Sequence, residues 1–155
     1  SQSASGLNSI APASRILGID PGVHTGIAVF VGGKLSTLET IAPHEVGDYI
    51  KTSSAQRVVF EDSRLISHTW STVSSRAAAL KMARNVGEID AWCRLITQVC
   101  ADMGLPAHGV SPKGKGQKIN GQSFASLTGW SGTSNQHERD AAMVAWPYRK
   151  VVRNA

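Results

Sequence analysis

RILGIDPGVHTGIAVFVGGKLSTLET, the stretch from Arg15 to Thr40, decides the fold. Arg15–Asp20 is a short apolar run that closes on a carboxylate. Pro21-Gly22 breaks it, because proline lacks the N–H a ladder needs and glycine favours turns. Thr25–Val31 is rich in β-branched and apolar residues and predicts a second strand. Gly32-Gly33 supplies the positive φ angles of a tight hairpin. Lys34–Thr40 alternates polar and apolar residues and predicts a third strand.

Working outward, residues Ser1–Ser14 are rich in Ser, Ala and Gly without periodicity and are expected to form a flexible arm. Residues 15–155 are expected to form one domain, as a chain of 155 residues suggests. Pro43–Lys51 predicts a short helix, and Arg57–Glu61 a fourth strand with Val58, Val59 and Phe60 as its buried run. Apolar residues at helical spacing predict a long helix over Ser71–Met103, with Gly87 as a possible bend and Gly104-Leu105-Pro106 as its stop. Ala107–Ser111 predicts a fifth strand and Pro112–Gln117 a Gly/Lys loop. Helices are expected over Gly121–Leu127 and Gln136–Arg149. Three strands in a meander, then strands alternating with helices, predict an α/β fold: one mixed sheet with helices packed on it.

Bulk composition narrows the function classes. Hydrophobic residues make up 41% and charged residues 17%, which provides for a core and excludes a disordered polar chain. Sixteen Lys and Arg against eleven Asp and Glu leave a net charge of +5, an argument for a polyanionic partner. No apolar run is long enough to span a bilayer, and no stretch reads as a secretory signal, so a soluble, cytoplasmic protein is expected. Cys93 and Cys100 lie two helical turns apart, too far for a disulfide within the helix, and are expected as buried thiols.

Four residues carry ligand chemistry: Asp20, Glu61, His137 and Asp140. Asp20 and Glu61 each close an apolar strand. His137 and Asp140 are three apart on a helix and share a face. Clustered carboxylates repel and lose hydration unless a cation neutralises them, and hard oxygen donors suit Mg²⁺ or Mn²⁺. Plainer readings exist for each: a turn residue for Asp20, a solvated strand end for Glu61-Asp62, a helix-capping region for His137 and Asp140. Their combination with the strand order favours convergence.

Three motifs make a resemblance specific. Gly18-Ile19-Asp20-Pro21-Gly22 with Thr25-Gly26, then Phe60-Glu61-Asp62, then Asn135-Gln136-His137-Glu138-Arg139-Asp140-Ala141-Ala142, resemble in this order the RuvC-type Holliday junction resolvases, phage relatives especially. The resemblance implies a ribonuclease-H-like fold with a five-stranded mixed sheet flanked by helices. It implies an endonuclease that resolves four-way DNA junctions with two Mg²⁺ ions, Mn²⁺ substituting, as a homodimer making paired nicks in a bacterial or phage-infected cell. Asp20, Glu61 and Asp140 match the family's core carboxylates. His137 falls where members carry Asp or His, as a metal ligand or an aid to the water nucleophile. A histidine in that role is expected to make activity fall as it protonates. Strand alternation lets only one of Glu61 and Asp62 point like Asp20, and the resemblance selects Glu61. Glu138, turned about 100° from His137, is left outside the ligand set.

For DNA contact, Lys113, Lys115 and Lys118 lie in a glycine-punctuated segment where ammonium groups and amides can approach phosphates. The resemblance favours Lys118. Arg64, His68 and Trp70 follow Glu61, and Trp70 is a candidate for stacking on an unpaired base. Arg76, Lys81 and Arg84 are candidates for the same cleft. Competing readings are a ribonuclease-H-like nuclease acting on flaps, forks or RNA–DNA hybrids, a non-catalytic DNA-binding module, and an actin-like ATPase. The last needs a second lobe and a second phosphate loop that this chain does not supply.

Overall fold

The structure is a computed structural model, and it describes residues 13–66, 75–113 and 116–150. Five strands form one sheet: β1 (Arg15–Asp20), β2 (Thr25–Val31), β3 (Lys34–Ile41), β4 (Arg57–Glu61) and β5 (Ala107–Val110). Their spatial order is β3-β2-β1-β4-β5. The β1–β2 and β2–β3 pairs are antiparallel, as hairpins dictate, whereas β1–β4 and β4–β5 are parallel. Among the described residues four α-helices flank the sheet: α1 (Val46–Thr52), α2 (Arg76–Asp102), α3 (Gly121–Thr128) and α4 (Gln136–Ala145). This mixed five-stranded α/β arrangement is consistent with the expected ribonuclease-H-like fold.

Period-two alternation splits the sheet's side chains between two cores. Leu17, Ile19, Ile27, Val58 and Phe60 pack with α1 and the α2 residues Cys93, Ile96 and Cys100. Ile16, Ala28, Phe30 and Val59 face the other way, against Phe124 of α3 and Ala141, Ala142 and Ala145 of α4. Central strand β1 is covered on both faces, so Ile16, Leu17 and Ile19 are all fully buried.

Two glycines set how closely α4 lies on the sheet. A Cβ on Gly18 would run into the backbone carbonyl of Ala141, and one on Gly26 into that of His137. With neither Cβ present, the helix backbone rests directly on β1 and β2.

The sequence reading needs adjusting at several places. The last α-helix stops at Ala145, and a 3-10 turn over Trp146–Tyr148 follows, because Pro147 has no N–H to continue the α ladder. The long helix runs through Gly87 unbroken from an Ser75 cap whose hydroxyl accepts the Ala78 N–H; residues 71–74 of the expected span lie outside the described residues. The expected arm lies outside them too, except for Ala13 and Ser14. Ser14 belongs with the sheet, since its carbonyl accepts the Gly32 N–H at 2.7 Å. Cys93 and Cys100 are buried and free of any disulfide, and burial pushes the Cys100 thiol up to about 11. No helix among the described residues is long and apolar enough to cross a membrane.

Candidate active site

Parallel pairing of β1 with β4 matches Ile16 to Arg57 and Ile19 to Phe60. One step further along each strand are Asp20 and Glu61, so two carboxylates end neighbouring strands at the same level. Parity then fixes their side. Asp20 shares the face of Ile16, and Glu61 that of Val59, the face covered by α4. Asp62 falls on the opposite face.

Helix α4 completes the group. It opens with a reciprocal cap: the Asn135 side chain accepts the Glu138 N–H at 2.9 Å, and the Glu138 carboxylate accepts the Asn135 N–H at 3.0 Å. Thr40 at the end of β3 locks this cap in place. Its hydroxyl donates to Glu138 Oε2 at 3.2 Å and accepts from Asn135 Nδ2 at 2.8 Å. Capping is therefore the work of Asn135 and Glu138, and it leaves His137 and Asp140 to face the sheet end.

Asp20, Glu61, His137 and Asp140 all line one open cavity of about 490 Å³, together with His24, Gln136 and Lys118. Asp140 is buried, and both its oxygens are engaged. Oδ1 accepts from Gln136 Nε2 at 2.8 Å and Oδ2 from Lys118 Nζ at 2.6 Å. The Lys118 ammonium is held above the usual lysine range by its hydrogen bond to Asp140, with further help from the charges of Asp20 and Glu61. Lys118 lines the same cavity as Asp20 and Glu61, with its ammonium on Asp140. Among the described residues, no group of three or more His, Cys, Asp or Glu side chains is placed to hold one metal ion. The four expected ligands share the cavity without being gathered into a single coordination sphere.

Arg139 anchors the segment that carries Lys118. Its guanidinium donates to the carbonyls of Ile119 at 3.0 Å and Ser134 at 2.7 Å, tying both flanks of α3 to α4. On the other side of the β4 end, Asp62 makes a two-pronged pair with Arg64, Nε to Oδ1 and Nη2 to Oδ2, each 2.8 Å. This pair holds the Asp62 carboxyl below its usual range. Arg64 also reaches Thr97 on α2 at 3.0 Å, Ser63 donates to Asp90 at 2.6 Å, and the Cys93 thiol reaches the Glu61 carbonyl at 3.6 Å. The exit of β4 is thus clamped to α2, directly beneath Glu61.

The remaining expected DNA contacts distribute unevenly. Arg64 does not line the acidic cavity; its guanidinium is committed to Asp62 and Thr97. Lys113 lines a neighbouring cavity of about 260 Å³ with Glu61, Met143 and Tyr148. Lys115, His68 and Trp70 lie outside the described residues. Arg76, Lys81 and Arg84 sit on the N-terminal part of α2 and do not line the cavity.

Two lining residues escape a reading by motif. His24 stands in the β1–β2 turn, its ring centroid 5.5 Å from that of His137. The signal was its place four residues after Asp20 in a hairpin that must fold back. Gln136 is four residues before Asp140, the spacing that puts two side chains on one helix face. No protein-family model matches the chain, and no curated protein matches it.

Proposed function

We propose that the protein is a metal-dependent endonuclease that cuts branched DNA, four-way junctions above all. The observation that carries this reading is the meeting of Asp20, Glu61 and Asp140, with His137, on one open cavity from three separate elements. Three carboxylates and an imidazole against one lysine form a strongly acidic site in a chain whose net charge is +5. Such a site suits a hard divalent cation, and the chain's net charge of +5 suits a polyanion. The likeness of the three motifs to RuvC-type resolvases supplies the substrate class and the homodimer, which would offer one site to each of two junction strands.

The donor types suit Mg²⁺ or Mn²⁺: carboxylate oxygens from Asp20, Glu61 and Asp140, with His137 beside them, would hold it after drawing closer together than they now stand. A bound divalent cation supplies charge neutralisation at the phosphate and a more acidic water. The protein's own groups do the rest. Gln136 fixes the rotation of the Asp140 carboxyl through Oδ1. The exposed imidazoles of His24 and His137 offer proton acceptors at the cavity. As the water oxygen bonds to phosphorus, its proton passes to such a base, while the bond from phosphorus to the sugar oxygen breaks and that oxygen takes a proton from solvent to leave as a hydroxyl. Lys113, on the neighbouring cavity, supplies positive charge for the flanking backbone.

The test is a panel of labelled substrates with Mg²⁺: four-way junction, linear duplex, flap and RNA–DNA hybrid. Paired symmetric nicks on the junction are expected. Preference for the hybrid or flap would keep the chemistry and move the substrate. Tight junction binding without cleavage in Mg²⁺ or Mn²⁺ would identify a non-catalytic DNA-binding module.

A further inference from the structure

We infer that Lys118 is a built-in counter-ion of the acidic cluster, one that competes with a divalent cation for Asp140 and so sets the metal concentration at which the site loads. This rests on the nuclease reading above and adds a residue that controls its metal affinity.

The two partners of the pair differ in freedom. The Asp140 side chain is 8% exposed, whereas that of Lys118 is 61% exposed. Asp140 sits on a capped helix whose backbone lies against Gly18 and Gly26, so it cannot withdraw. Its Oδ1 is already committed to Gln136, a neutral donor that brings no charge. Oδ2 is the oxygen that already holds a charged partner, the Lys118 ammonium at 2.6 Å, and it is there that a cation must compete.

Asp20 and Glu61 line the same cavity as that ammonium. A cation entering among these carboxylates meets a positive charge already in place. Either it pushes Lys118 aside or it binds against that repulsion. Both cost metal affinity. Displacement is local, because Arg139 grips the carbonyl of Ile119, the next residue, and holds the backbone while the lysine side chain swings.

Calorimetric titration of Mn²⁺ into the full chain, without DNA, tests this. The proteins are the wild type, Lys118→Met, Lys118→Arg and Asp140→Asn. Lys118→Met is expected to bind Mn²⁺ about fivefold more tightly, the factor matching the upper end for a solvent-accessible ion pair. Lys118→Arg keeps the charge and is expected to stay near wild type. Lys118→Met is also expected to melt lower than wild type without metal and to regain the difference at saturating Mn²⁺. Unchanged or weaker Mn²⁺ binding by Lys118→Met, with Asp140→Asn still impaired, would overturn the inference alone. Mn²⁺ binding that is absent in the wild type, or unaffected by Asp140→Asn, would overturn the metal-site reading and the inference with it.

Discussion

Glu61 and Asp62 are adjacent carboxylates with opposite surroundings. Glu61 faces the cavity, and Asp62 is buried on the other side of the sheet end in a two-pronged pair with Arg64. Because that pair lowers the carboxyl's affinity for protons in the folded state, its stabilisation is present above the ordinary carboxylate range. It is lost as pH falls through the lowered folded value. Asp62→Asn is thus expected to cost roughly 1–3 kcal/mol at neutral pH, the range for breaking a buried hydrogen-bonded group. The variant should also lose less of its remaining stability than the wild type does as pH falls below the ordinary carboxylate range. Thermal melts across that range check both. If Asp62 acts only by positioning Glu61, its removal lowers turnover without moving substrate affinity.

Helix α4 carries half of the candidate site, and its seat depends on what is missing beneath it. Gly26→Val forces a side chain into the His137 carbonyl. It is expected to destabilise the fold by about 1–3 kcal/mol, as overpacking does, and to lift His137 and Asp140 away from Asp20. Denaturant unfolding and a cleavage assay at a temperature where the variant stays folded read the two effects. Asn135→Ala removes the side chain that caps the same helix and is expected to cost about 1 kcal/mol. Much of this was legible beforehand. The Pro21-Gly22 and Gly32-Gly33 breaks delimit β1 to β3 well, and Asp20 and Glu61 are visible as charges closing apolar runs. The Gln136–Asp140 pair was legible as an i, i+4 spacing, but the His24–His137 pairing was not, because it depends on how closely α4 approaches the sheet. Nor was the commitment of Arg64 to Asp62. A basic residue after a catalytic strand reads equally as a DNA contact or as an internal partner until the face of its neighbour is known.

Over the whole molecule, a chain of net charge +5 carries a cavity lined by three carboxylates, and the proposed function assigns the first to a polyanion and the second to cations. Junction binding is expected to weaken steeply with salt. Lys113→Ala should reduce the slope of log affinity against log salt by about 1, the signature of one lost phosphate contact. Anisotropy titrations at several salt concentrations measure that slope. The central claim, that Asp20, Glu61 and Asp140 cooperate in cutting DNA, is tested most directly by one comparison. Wild type and Asp20→Asn are incubated with a labelled four-way junction and Mg²⁺, and binding and nicking are recorded on the same samples. The account predicts that Asp20→Asn binds the junction as well as wild type does and does not nick it. Equal nicking by both proteins would place the chemistry elsewhere and contradict the account.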